Sequence, residues 1–347
     1  MKRLIVCCDG TWQDLSNNNP TNVVKIAKAI KASAEDKDKT PQIVFYDPGI
    51  GTEGKADRLL GGAFGWGIDQ DIQNAYRFLS LNYKKGDEIY LYGYSRGAYT
   101  VRSLAGLIYC SGLPNRKNIH KIDDAYDIYR QRTKEGEISI PQTKEAINFR
   151  KENGGHVPIT FLGCWDTVGS LGIPNLTSWL PINEWTNKKY KFHDTSLSPI
   201  IQYARHAAAI DEPRKVLELT PMVKSSKNPD QNLRQVWFPG EHGCVGGGKK
   251  QTGLSDGALQ WMIDESKVLG LEFHQTQEIN PDPTVPFNNT HRLIRRSLRK
   301  VDFDLHSSVI QRWLLVDNYR PQNLAEYRFY IESIIKDMRG DGDSKAA

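Results

Sequence analysis

The chain has 347 residues, 39% of them hydrophobic and 25% charged, with a formal net charge of +5. That length suits one large domain with insertions, and the composition excludes an extended disordered chain. So mild a charge excludes the strongly basic field of a dedicated nucleic-acid binder, so no nucleic acid is expected as partner; peripheral contact with an anionic membrane stays open.

Lys2 and Arg3 precede an apolar run that ends at Asp9. The run is too short for a signal-peptide core and reads as a buried strand, Arg3 to Cys8. A Thr21 cap then opens a helix with the apolar stripe Val23, Ile26, Ala27 and Ile30. Gln42 to Asp47 reads as the next strand. Ile68, Ile72, Ala75, Tyr76 and Leu79 form a second helical stripe. Glu88 to Gly93 is a strand and Val101, Leu104, Ala105 and Ile108 a third stripe, followed by the strand Ile159 to Trp165. The Pro- and Trp-bearing stretch near 171–200 breaks the pattern and reads as a lid-like insertion. Tyr203 to Ile210 reads as helical, Arg234 to Phe238 as a strand, and Leu254, Ala258, Trp261 and Met262 as a fourth stripe.

Short strands alternating with helices predict an α/β fold, a mostly parallel central sheet flanked by helices, over residues 1–337. Residues 338–347 are small and polar and read as a flexible tail. The five cysteines are odd in number and form no CxxC pair, so neither a disulfide framework nor a metal site is indicated. No stretch approaches the roughly 20 apolar residues of a membrane span. The expectation is a soluble cytoplasmic protein, with signal-independent secretion left open.

Gly93-Tyr94-Ser95-Arg96-Gly97 is a GxSxG run that follows a strand and opens a helix. That setting is a nucleophile elbow, which exposes the serine hydroxyl above the sheet edge. A serine needs a base and the base an orienting acid, in the chain order Ser, Asp or Glu, His. Asp166 and His242 each follow a predicted strand, on the same sheet edge as Ser95. His206 and His306 are the rival bases, and Asp256, Asp211 and Asp9 the rival acids. The oxyanion donors expected are the N–H of Arg96 and one from Gly10 or Thr11 after the first strand. Trp179, Leu180 and Trp185 either wall an acyl chain or pack the insertion. No cofactor is needed for this chemistry.

Three look-alikes fail. Asp9-Gly10-Thr11 lacks the phosphatase nucleophile, because Cys7 stands in its place. The GxGxxG at 49–54 lies outside the first βαβ unit, and in the GxxxxGK at 243–249 Lys250 replaces the magnesium-binding hydroxyl. Arg292, Arg295, Arg296 and Arg299 would share one helical face, either solvated or fitted to an anionic headgroup.

The sequence carries CDGTW at 8–12, YDPGIGT at 46–52, GYSRGAYTVRSLAGLI at 93–108 and WDTVGSLG at 165–172. It continues with ARHAAAIDEPR at 204–214, WFPGEHGCVGGG at 237–248, GLSDGALQWM at 253–262 and HSSV at 306–309. These runs resemble the α/β-hydrolase family that includes the group-one type VI secretion lipase effectors, which are phospholipases. The resemblance implies a Ser-Asp-His triad at Ser95, Asp166 and His242. It departs at Cys244, where the family's histidine motif has an aspartate, and in the lack of a membrane-docking module. The implied activity is phospholipase A-like ester hydrolysis, with a lipid substrate and room for an immunity or regulatory protein as partner. The alternatives are a small-ester or thioester hydrolase without a membrane role, and a non-catalytic module that keeps the fold.

Overall fold

A computed structural model of the chain describes residues 1–10, 18–32, 40–49, 63–131, 138–169, 196–274, 279–287 and 298–343. Its centre is a sheet of seven strands, in the order β2-β1-β3-β4-β5-β6-β7, in which every ladder is parallel. The strands are β1 (Arg3–Cys8), β2 (Gln42–Asp47), β3 (Glu88–Tyr94), β4 (Ile159–Trp165), β5 (Ile201–Ala209), β6 (Asn232–Phe238) and β7 (Asp304–Leu305). Parallel strands joined by crossover helices are covered on both faces, so β1 is buried along its whole length.

Helices α1 (Asn22–Ala29), α2 (Ala63–Asn82), α3 (Arg96–Ser111), α4 (Ile122–Arg130) and α5 (Lys144–Asn153) belong to the first half of the fold. In the second half lie the short α6 (His242–Gly246), α7 (Gly253–Lys267), α8 (Ser307–Leu315) and α9 (Arg328–Asp343). Thr21 caps α1 by accepting from the Val24 N–H at 3.2 Å. The stripes of α2 and α3 pack with Leu4, Val6, Ile89 and Leu91 on one sheet face. Those of α1 and α7 pack with Ile5, Tyr90, Phe161 and Trp165 on the other. A third cluster, around Val309, Trp313 and Ile331, joins α8 and α9 to β6.

Tyr203 to Ile210 is not a helix. It belongs to β5, between β4 and β6. Alanine is the strongest intrinsic helix former, but context overrides so weak a preference. Ala207 and Ala209 pack on one face and Ala208 on the other, the period-two alternation of a strand. β7 was not expected, and β3 and β6 run longer than the sequence patterns suggested. Helix α9 continues through Asp343, into the segment read as a tail, because each added residue gains a backbone hydrogen bond even where side chains are polar. Among the described residues no helix is long and apolar enough to cross a membrane.

The register sets one edge of the sheet. Cys8 lies opposite Asp47 and Gly93, Tyr94 opposite Trp165, Trp165 opposite Ala207, and Ala209 opposite Phe238. The residues that follow these strands, Asp9-Gly10, Ser95, Asp166 and the loop to His242, therefore share the carboxyl edge. Between β1 and β3 the strand order reverses, the place where open α/β sheets form a binding crevice.

Candidate active site

Ser95 sits between β3 and α3 with φ 57° and ψ −118°. This is a disfavoured conformation for a residue with a side chain, costing about 1–3 kcal/mol, and it persists because its surroundings leave no alternative. The two motif glycines create those surroundings. A Cβ on Gly93 would lie 2.5 Å from the Gly97 carbonyl oxygen, and one on Gly97 would lie 2.0 Å from the Cys8 carbonyl oxygen. Only glycine lets the strand, the turn and the end of β1 come this close. The Ser95 N–H donates to the Trp165 carbonyl at 3.0 Å, tying the elbow to β4.

The three residues singled out by strand ends and chain order meet. Ser95 Oγ is 2.9 Å from His242 Nε2, and His242 Nδ1 is 2.5 Å from Asp166 Oδ2. Because the carboxylate accepts from Nδ1–H, Nε2 is left as the acceptor for the Ser95 hydroxyl. Asp166 is itself at positive φ, 42°, immediately past β4. It is fully buried, and its Oδ1 accepts the Ala209 N–H at 2.9 Å. Burial pushes its carboxyl up, but the Arg299 guanidinium and the His242 hydrogen bond outweigh burial and hold it well below the usual carboxylate range.

Arg299 was expected on a solvated or headgroup-facing surface. It is buried, and its Nη1 and Nη2 donate to Asp166 Oδ1 and Oδ2 at 2.5 and 3.1 Å. Nothing in its local sequence separates it from the neighbouring arginines; Arg292, Arg295 and Arg296 lie outside the described residues.

The loop carrying His242 is fixed by groups that position in the chain does not single out. Glu212 Oε2 accepts the His242 N–H at 3.1 Å, while Arg214 grips Glu212 through Nε and Nη2 at 2.6 and 2.7 Å. Asp211 Oδ2 accepts the Gly240 N–H at 2.6 Å and the Tyr319 hydroxyl at 3.0 Å. The Tyr94 ring lies 4.7 Å from the imidazole, centroid to centroid. A Cβ on Gly246 would fall 1.9 Å from that ring, so the glycine run does let the histidine loop pack tightly. Lys249 pairs with the buried Glu241, which is what the lysine of the GxxxxGK look-alike does. Cys244 is buried, and desolvation with Asp211 nearby pushes its thiol up to about 12. The acids that hold this loop are thus Asp211 and Glu212 from the end of β5, and an uncharged residue at 244 spares them a further buried negative charge.

The rival residues have other partners. His206 Nε2 accepts the Thr167 N–H at 3.1 Å, its Nδ1 pairs with Gln235 Oε1 at 3.2 Å, and burial lowers its pKa to about 4. His306 accepts the Ser308 N–H at 3.2 Å as the cap of α8. Asp256 pairs with Lys25 at 2.6 Å. Asp9 accepts from Gly10 N–H, Thr21 Oγ1 and Tyr46 hydroxyl at 2.7, 2.5 and 3.0 Å, while burial raises its pKa to about 6.

Of the expected oxyanion donors, Arg96 opens α3, where peptide N–H groups have no acceptor within the helix and the helix dipole favours an anion. Gly10 lies against the nucleophile, since a Cβ there would be 3.4 Å from Ser95 Cβ. Its N–H, however, is engaged by Asp9 Oδ1. Thr11, Trp179, Leu180 and Trp185, with residues 170–195 of the lid-like insertion, lie outside the described residues.

Residues 2–265 match the family described as type VI secretion system phospholipase effector Tle1-like, catalytic domain. The uncharacterized protein YEL023C of Saccharomyces cerevisiae is 31% identical over 243 residues, which are 64% of this chain and 33% of that protein. The chain therefore spans about a third of the length of this curated relative. Among solved structures, an uncharacterized protein from Pseudomonas aeruginosa aligns over 81% of this chain and 47% of its own, at TM-score 0.47 and 17% identity. A Tle1 effector bound to the VgrG spike of the type 6 secretion system aligns over 71% of this chain and 51% of its own, at TM-score 0.41 and 16% identity. Ser95, Asp166 and His242 all fall within the matched 2–265, and the chain belongs to the family of Tle1-like type VI secretion phospholipase effector catalytic domains.

Proposed function

We propose that this chain is a serine hydrolase of the phospholipase A-like kind, cleaving carboxylic esters through Ser95, His242 and Asp166. The observation that carries the reading is the continuous hydrogen-bond path from Ser95 Oγ through His242 to Asp166. Ser95 Oγ attacks the ester carbonyl while His242 Nε2 takes its proton, and Asp166 stabilises the imidazolium that forms. The Arg96 N–H at the start of α3 holds the oxyanion with the Thr11 N–H as the second donor, since the Gly10 N–H is engaged by Asp9. Collapse expels the alcohol, protonated by His242, and leaves an acyl group on Ser95. Water, deprotonated by His242, then releases the acid. The lipid class of the substrate is supported by family membership, and the buried unpaired cysteines suit residence in a reducing cytoplasm.

Turnover of phospholipid liposomes and of p-nitrophenyl butyrate, by wild type and Ser95→Ala, tests this. Fatty acid released from liposomes by wild type alone is the expected result. Hydrolysis of the short ester only would overturn the phospholipase reading, and undiminished activity in Ser95→Ala would overturn the serine mechanism.

A further inference from the structure

Arg299 lies beyond the residues that match the family, yet it donates to both oxygens of the acid of the site. An ionised carboxylate offers about four acceptor positions. In Asp166 Oδ1 takes Ala209 N–H and Arg299 Nη1, and Oδ2 takes His242 Nδ1–H and Arg299 Nη2. The guanidinium is in turn anchored by the Ala209 carbonyl at 2.9 Å and the Leu217 carbonyl at 2.6 Å. The carboxylate plane is therefore fixed from both sides, with Oδ2 aimed at His242.

We infer that Arg299 is a positioning residue for the base: its fork locks the Asp166 carboxylate with Oδ2 on His242 Nδ1, so that Nε2 is held toward Ser95 Oγ. This rests on the triad reading above. The planar fork supplies the geometry, which a lysine cannot reproduce, while either side chain supplies the charge.

The test is the rate of inactivation of the folded protein by a fluorophosphonate probe at about pH 8, for wild type, Arg299→Lys, Arg299→Met and Ser95→Ala, with urea midpoints read on the same proteins. In Arg299→Met the rate should fall about 100-fold, the cost of a misplaced base, and in Arg299→Lys about tenfold. A merely structural arginine would lower the urea midpoint and leave the rate of the folded protein where it is, so an unchanged rate in Arg299→Met overturns the inference. If Arg299→Met fails to fold, Arg299→Lys decides: a wild-type rate overturns the inference, and a reduced rate of the folded protein supports it. Loss of the triad reading looks different, because wild type would then go unlabelled or Ser95→Ala would still label.

Discussion

Gly97→Ala tests the elbow at its tightest point. A Cβ at Gly97 would lie 2.0 Å from the Cys8 carbonyl oxygen and 2.5 Å from that of Asp9, where ordinary contact begins near 3.4 Å. Both obstacles are backbone, so no side chain can swing aside, and the end of β1 must part from the first turn of α3 by more than an ångström. Overpacking of this kind costs about 1–3 kcal/mol. The same movement carries Asp9 and Gly10 away from Ser95, and displacement on this scale costs about 100-fold in rate. The contrast is Gly257→Ala on α7, where an added Cβ meets nothing within 4 Å. Removing that helix-interior glycine should stabilise the fold by about 0.5–1 kcal/mol and leave the rate alone. Urea midpoints at unchanged slope, alongside p-nitrophenyl butyrate turnover, read both effects. A Gly97→Ala protein as stable and active as wild type would refute the steric reasoning.

His242→Ala should lower activity by about 10⁴- to 10⁶-fold, as loss of a triad member does elsewhere; near-normal turnover would mean that another group is the base. Lys25→Met leaves the fully buried Asp256 without its cation and should cost about 3 kcal/mol in urea unfolding, while the folded fraction still labels at Ser95; a cost below about 1 kcal/mol would contradict the pairing. His206 has a folded pKa of about 4 against an ordinary 6.5, so acidification puts protons on the unfolded chain first. Its contribution is present above pH 6.5 and is lost as the pH falls toward 4, by up to about 3 kcal/mol. His206→Gln should therefore lose less stability than wild type across that window. Asp9 and Asp211, both raised to about 6, act with the opposite sign in both proteins and cancel in the difference. Parallel losses in the two proteins would contradict the assignment.

Where one local rule dominates, the sequence was legible. β1, β2 and β4 carry largely apolar runs, and α1, α2, α3 and α7 carry apolar stripes that turn toward the core. Ser95, Asp166 and His242 could be chosen because α/β topology sends every strand end to one edge. The alanines of β5 follow tertiary packing rather than helix propensity, so His206 lies in the sheet between β4 and β6 and not on the helix that its local sequence suggests. Arg299 was illegible for another reason. Its partner Asp166 is 133 residues away, and no pattern near position 299 distinguishes a buried guanidinium from a solvated one. The acids of the histidine loop were half visible. The block at 204–214 contains Asp211, Glu212 and Arg214, but only the fold turns them toward Gly240 and His242.

The most direct measurement is the site of covalent attachment of a fluorophosphonate, mapped by peptide mass spectrometry on the folded protein. A single adduct on the peptide that contains Ser95, absent in His242→Ala, is the expected result. An adduct on a different nucleophile, or none on folded wild type, would contradict the assignment of Ser95 as nucleophile.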